Sequence, residues 1–200
     1  MLIWINGAFG AGKTSAAFEL ARRLPGSHVF DPENAGYFLR KNASWKYTQE
    51  DFQDIELWRE INFKILKSLL EDGEVVISPM TLVDPLYFDE IIGRLRREGI
   101  ELRHFILEAG KEVLIRRLAA RVFKTSLGGK ENWAVKQADR CIRAFSLMPE
   151  EDKIWTNEMS VRDVAEEIAS RCGLKLLPDN RPGVVQSLGR LLVLLRHIRL

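Results

Sequence analysis

The sequence predicts an α/β fold: a five-stranded parallel sheet with helices on both faces, formed by residues 1–178 as one doubly wound domain. A linker and a terminal helix follow over 179–200. Three observations lead there. Short apolar runs alternate with helix-period patterns along the chain, the pattern of a parallel sheet wrapped by helices. No internal repeat or low-complexity tract interrupts them. A chain of 200 residues, 46% hydrophobic and 29% charged, suits one globular domain able to bury its own core.

The elements follow in order. Leu2–Ile5 is a buried-type strand running into a glycine-rich turn, and Thr14–Leu24 is a helix with Ala17, Phe18, Ala21 and Leu24 on one face. Pro25-Gly26 stops it, and His28–Phe30 is the second strand, ended by Asp31-Pro32. A long helix carries Phe52, Ile55, Trp58, Phe63, Leu66 and Leu69 near a 3.6-residue period, with Thr48 and Asp51 at capping-box spacing and Gly73 at its end. Val75-Val76-Ile77 is a third strand, and Asp84-Pro85 caps a helix that stops at Gly99. His104–Leu107 is the fourth strand and Glu112–Val122 the next helix. Polar, glycine-containing residues 124–130 predict a mobile loop within a lid over about 121–140. Lys153–Thr156 is the last strand, and Ser160 with Asp163 caps a helix running to Gly173.

Bulk composition narrows the classes of partner. The net charge of +2 does not point to nucleic acid, and no nucleic-acid partner is expected. The positive balance belongs to 181–200, where Arg181, Arg190, Arg196 and Arg199 stand without an acid. Cys141 and Cys172 form no CxxC pair and indicate no disulfide framework. The first residues lack a signal-peptide pattern, and no stretch reaches the roughly 18 apolar residues of a membrane span. A cytoplasmic chain is expected.

The glycine-rich turn carries the chemistry. Gly7-Ala8-Phe9-Gly10-Ala11-Gly12-Lys13-Thr14 matches G-x-x-x-x-G-K-[ST] at every position. Its glycines admit positive φ and let backbone N–H groups face a phosphate, while the next helix aims its positive end at the same anion. Lys13 reaches β- and γ-phosphates, Ser15 extends the first helical turn, and the Thr14 hydroxyl is the usual ligand for Mg²⁺. A chance match arises in roughly one chain in a hundred of this length. Its place between first strand and first helix argues against a bare turn. ATP and Mg²⁺ are the expected cofactors.

Other candidates surround this loop. Asp31, with Glu33 two residues on, follows the second strand, on the ligand side of such a sheet. It can take the proton of a substrate hydroxyl, or cap the next helix ahead of Pro32. The third strand ends in Ser78-Pro79-Met80, with no acid where a Walker-B aspartate would stand. Metal-holding then falls to Thr14, phosphate oxygens and water, with Asp31 as a candidate behind them.

Arg117 and Arg121 share a helix face just before the lid, and Arg140 and Arg143 follow it. They can neutralise charge in phosphoryl transfer or merely complement helix ends. Trp45, Trp58 and Trp133 can line an apolar substrate pocket, although Trp58 is also in phase with the buried face of its helix. Asn157 sits after the last strand, where a purine can rest. His28, His104 and His197 have no metal-ligand spacing. Val184–Leu200 is basic, leucine-rich and too short to span a bilayer. It can lie on an anionic membrane surface, each Arg contributing about 1 kcal/mol, or dock on protein.

These residues resemble the bacterial tunicamycin-resistance ATP-binding proteins. The likeness covers nearly the whole chain. It includes Ile3-Trp4-Ile5-Asn6-Gly7-Ala8-Phe9-Gly10, Ala17-Phe18-Glu19-Leu20, Asp31-Pro32-Glu33, Pro79-Met80-Thr81, Glu90-Ile91-Ile92-Gly93-Arg94-Leu95-Arg96, Trp133 through Cys141, and His197-Ile198-Arg199. The resemblance implies a P-loop NTPase fold, ATP binding, and resistance to tunicamycin, a lipophilic uridine-containing nucleoside. It also implies peripheral attachment to the inner face of the cell membrane through the terminal helix. More distantly, the layout is similar to shikimate, nucleoside and chloramphenicol kinases. In those, an aspartate after the second strand serves the substrate and an R-x3-R pair serves the lid; Asp31 and Arg117/Arg121 match. Three functions stay open: a phosphotransferase acting on tunicamycin or a related nucleoside, an ATP-dependent protein that sequesters the drug without turnover, and, more distantly, a housekeeping metabolite kinase whose effect on resistance is incidental.

Overall fold

The computed structural model describes residues 1–49, 51–71, 73–125, 128–149, 152–179 and 181; for 121–134 and 136 the description is of backbone alone. Five strands form one parallel sheet in the order β2-β3-β1-β4-β5. They are β1 (Leu2–Gly7), β2 (Ser27–Val29), β3 (Val75–Pro79), β4 (Leu102–Glu108) and β5 (Lys153–Trp155). β1 pairs with β3 from Leu2↔Val76 to Ile5↔Pro79, and with β4 from Leu2↔Leu102 to Gly7↔Leu107. The expected sheet is present in full.

Two apolar layers follow from strand alternation. Ile3, Ile5 and Ile77 face Ala17 and Leu20 of α1 (Lys13–Arg23) and Ile168 of α8 (Val161–Arg171). Leu2, Trp4 and Val76 face Trp58, Phe63 and Leu66 of α3 (Glu56–Glu71). Trp58 is 0% exposed, and its indole N–H donates to Pro32 O at 2.9 Å. It is therefore a core residue that pins the turn after β2. Trp45, by contrast, is 81% exposed.

Local chemistry explains most helix ends. The Asp84 carboxylate accepts from the backbone N–H of Leu86 and Tyr87, opening α4 (Pro85–Phe88) with proline in its first turn. A π-helical turn, Asp89–Gly93, continues it into α5 (Arg94–Arg97). Ser160 and Asp163 form the reciprocal capping box of α8.

Three expectations are corrected. A helix not foreseen, α2 (Glu33–Asn42), follows Asp31-Pro32. Asp51 caps a short 3-10 turn, Phe52–Asp54, and α3 begins only at Glu56, so the Thr48/Asp51 box does not form its start. The mobile loop expected over 124–130 is helical wherever described: α6 is Lys111–Thr125 and α7 is Gly128–Ser146.

Pro178 leads into a segment tied to the domain. Arg23 donates to Leu177 O at 2.8 Å, and Arg181 pairs with Asp179 and with Glu19 of α1. The expected terminal helix, 184–200, lies outside the described residues.

Burial pushes both thiols above the ordinary cysteine range, Cys172 to about 11. Titration of the native protein with a chromogenic disulfide near neutral pH is expected to label both slowly. A burst from either would contradict this packing.

Candidate functional site

Every strand ends on the same side of the sheet, because every pairing is parallel. The chain leaves β1 toward β3 and β2, then crosses back past β1 to β4 and β5. That reversal opens a crevice at the carboxyl end of β1, where α/β sheets bind ligands. The glycine loop stands there.

Gly7, Gly10 and Gly12 adopt φ of 140°, 84° and 101°. Tertiary contact adds a second demand: a Cβ at Gly7 would lie 2.6 Å from Leu107 O, and one at Gly10 would lie 2.9 Å from Leu114 O. Ala8 and Ala11 are buried beneath the loop. α1 begins behind it with Gly12 as N-cap, without a side-chain cap and without an acid in its first turn. The N–H groups of Lys13, Thr14 and Ser15 thus meet no carboxylate of their own helix, and the helix dipole favours an anion there. Lys13 Nζ donates to Gly7 O at 2.9 Å and to Ala8 O at 3.0 Å, and sits 5.4 Å from the Phe9 ring centroid. A phosphate cradle is what these residues can form.

One wall of the crevice comes from the segments after β2 and β3. Asp31 Oδ1 accepts from the Glu33 N–H at 3.0 Å, which steadies the start of α2. The capping role read from the sequence is therefore occupied, although the helix counts from Glu33. Glu33 accepts from the Tyr37 hydroxyl at 3.5 Å.

Asp51 was read in the sequence only as a capping residue. The Gln53 amide reaches Asp51 Oδ2 at 3.4 Å and Thr81 O at 3.1 Å, and the Thr81 hydroxyl donates to Gly7 O at 2.8 Å. A hydrogen-bonded chain thus runs from the Asp51 carboxylate to the carbonyl that also receives Lys13. Burial raises the Asp51 pKa above the ordinary carboxylate value, with Arg140 and Arg40 pulling the other way. The positive charge of Arg140, on α7, thus acts on this acid from a distance. No local pattern signalled this chain of bonds, since its links beyond Gln53 come from β1 and the turn after β3.

Arg59 clamps the same segment. It pairs with Glu90, donates to Gln53 O at 2.6 Å, and lies 4.2 Å from the Tyr87 ring centroid.

The opposite wall joins β4, β5 and α6. Arg117 donates to Thr156 Oγ1 at 3.1 Å and to Thr156 O at 2.6 Å, and burial beside Arg116 lowers its pKa. Asn157 Oδ1 accepts from the Gly110 N–H at 2.9 Å. Arg117 is thus anchored on the residue that precedes Asn157. The side chains of Arg121 and Trp133 lie outside the described set. Among the described residues, no group of three or more His, Cys, Asp or Glu is placed to hold a metal ion.

Known structures agree with this arrangement. The chain is similar to the Deinococcus radiodurans tunicamycin resistance protein, with 28% identity, a TM-score of 0.71, and coverage of 89% of this chain and 99% of that one. It is similar in fold to the Mycobacterium tuberculosis APS kinase in complex with AMPPNP and APS (16% identity, TM-score 0.56, covering 86% and 96%). The Bacteroides thetaiotaomicron shikimate kinase is similar too (22% identity, TM-score 0.52, covering 86% and 95%). No curated protein matches the sequence. This is a P-loop kinase-like, nucleotide-binding fold. The family described as AAA domain matches residues 2–146, and the chain belongs to that family.

Proposed function

We propose that the protein transfers a phosphoryl group from ATP to a hydroxyl of tunicamycin or a related nucleoside. The observation that carries this reading is the phosphate cradle of Gly7–Thr14 at the carboxyl end of β1, with Asp31 and Asp51 as the carboxylates offered for the base. Likeness to the D. radiodurans tunicamycin resistance protein supports the choice of acceptor.

In this reading the loop N–H groups and Lys13 hold the β- and γ-phosphates. Mg²⁺ at Thr14 supplies charge neutralisation. A carboxylate accepts the proton of the acceptor hydroxyl while its oxygen bonds to the γ-phosphorus and the bond to the β-phosphate oxygen breaks, releasing ADP. Arg117, Arg121 and Arg140 neutralise phosphate charge from the lid side, and Asn157 borders the base. Residues 184–200 attach the protein to an anionic membrane surface. No described helix is long and apolar enough to cross a membrane.

Two carboxylate variants test the chemistry. Asp31→Asn and Asp51→Asn are each measured for drug-dependent ADP release and for nucleotide affinity. The base variant is expected to lose transfer by about 10²–10⁴-fold while binding nucleotide normally. Full activity in both would sink a carboxylate base.

A sequestering protein is the second reading, favoured by the acid-free end of β3. It predicts one-to-one protection without turnover, so catalytic inactivation of excess drug would exclude it.

A further inference from the structure

His104 lies outside the crevice, yet it reaches the phosphate loop through one side chain. It is buried on β4, and its Nδ1 stands 3.0 Å from Asp152 Oδ2, ahead of β5. Its Nε2 stands 3.4 Å from the Asn6 amide nitrogen. Asn6, wholly buried, is the residue just before the loop. Asn6 Oδ1 accepts from the Gly7 N–H at 3.0 Å and from the Leu82 N–H at 2.9 Å, and Asn6 Nδ2 donates to Leu82 O at 2.9 Å.

These contacts settle the protons. Two backbone donors fix which end of the Asn6 amide is oxygen, so its nitrogen faces His104. His104 Nε2 must then accept, which places the ring proton on Nδ1, pointing at the carboxylate. The imidazole is neutral. A second proton on Nε2 would set donor against donor. Relief would require Asn6 to turn, which gives up the Gly7 and Leu82 contacts that aim the loop.

We propose that His104 is a positioning residue for nucleotide: in its neutral Nδ1–H form it locks the Asn6 amide that shapes Gly7, and protonation releases that lock. The inference rests on nucleotide binding at the loop and is independent of the acceptor. The groups facing the ring are Asp152, which favours its protonation, and Arg96 of α5, which opposes it; the Phe88 ring of α4 lies 5.0 Å away, edge-on. Burial is the largest influence and holds the pKa below the ordinary 6.5. The lock is therefore closed above that value and opens as pH falls beneath it.

Affinity for a fluorescent ribose-labelled ATP analogue in excess Mg²⁺, titrated from about pH 8 to about pH 5.5, tests this. Three chains are compared: wild type, His104→Gln and His104→Leu. Glutamine keeps one acceptor and one donor but cannot take up a proton in this range. The wild type is expected to lose about tenfold in affinity relative to His104→Gln across the range, the nucleotide's own titration cancelling in that ratio. His104→Leu, lacking the acceptor, binds weakly at every pH where His104→Gln does not. Asp152→Asn moves the wild-type fall to lower pH.

Parallel profiles for wild type and His104→Gln would overturn the proposal. So would full affinity in His104→Leu. Should leucine fail to fold, the wild-type and glutamine profiles decide alone. Absence of nucleotide binding in the wild type at about pH 8 would overturn the nucleotide reading, and this one with it.

Discussion

Lys13→Ala is expected to reduce phosphoryl transfer by about 10³-fold and to weaken nucleotide binding by about tenfold. Lys13 Nζ rests on Gly7 O and Ala8 O, within reach of the uncapped start of α1. The loop N–H groups that remain can still hold phosphate, so binding suffers less than transfer. The ammonium has a compact charge, whereas guanidinium is a planar fork. Lys13→Arg is therefore expected to restore binding in part and transfer hardly at all. Single-turnover kinetics beside a nucleotide titration separate the two quantities. Weaker binding with the saturating single-turnover rate unchanged would place Lys13 in ground-state binding alone.

The second large effect concerns Gly7. Alanine there would meet Leu107 O at 2.6 Å while held at φ 140°. The strain and the clash together are expected to cost about 2–4 kcal/mol of stability and to abolish nucleotide binding. Gly12→Ala is the informative partner. Its φ is 101°, but a Cβ there meets nothing within 4 Å. Only backbone strain applies, about 1–2 kcal/mol. Thermal unfolding of both variants, each with and without nucleotide, reads the difference. A Gly12 variant as damaged as the Gly7 variant would show that φ, and not the approach of β4, controls the loop.

The loop was legible in the sequence because all its requirements are local: glycines for φ, a lysine, a hydroxyl and a strand before it. The Asp84 cap of α4 and the capping box of α8 were legible for the same reason. Trp58 could be placed in the core by its phase, yet its bond to Pro32 O spans 26 residues and has no local signature. α2 was missed in part because Gly36 interrupts its pattern. That glycine is needed where the Phe52 ring packs, since a Cβ would lie 2.5 Å from it.

Thr48 and Asp51 misled in a different way. Their spacing satisfied a helix-start rule, but Asp51 caps the short turn Phe52–Asp54 instead, accepting from the Gln53 N–H. His104 was set aside because no metal-ligand partner stands near it in sequence. Its partners, Asn6 and Asp152, lie 98 and 48 residues away. What escaped was the part of the site assembled by the sheet from distant segments.

Mass spectrometry of tunicamycin and of uridine tests the central claim most directly, after incubation with sub-stoichiometric protein, ATP and Mg²⁺, with Lys13→Ala as control. The account predicts a product heavier by one phosphoryl group, formed in excess over protein and absent from the control. Unchanged drug and nucleoside, with ATP binding confirmed separately in the same preparation, would contradict it.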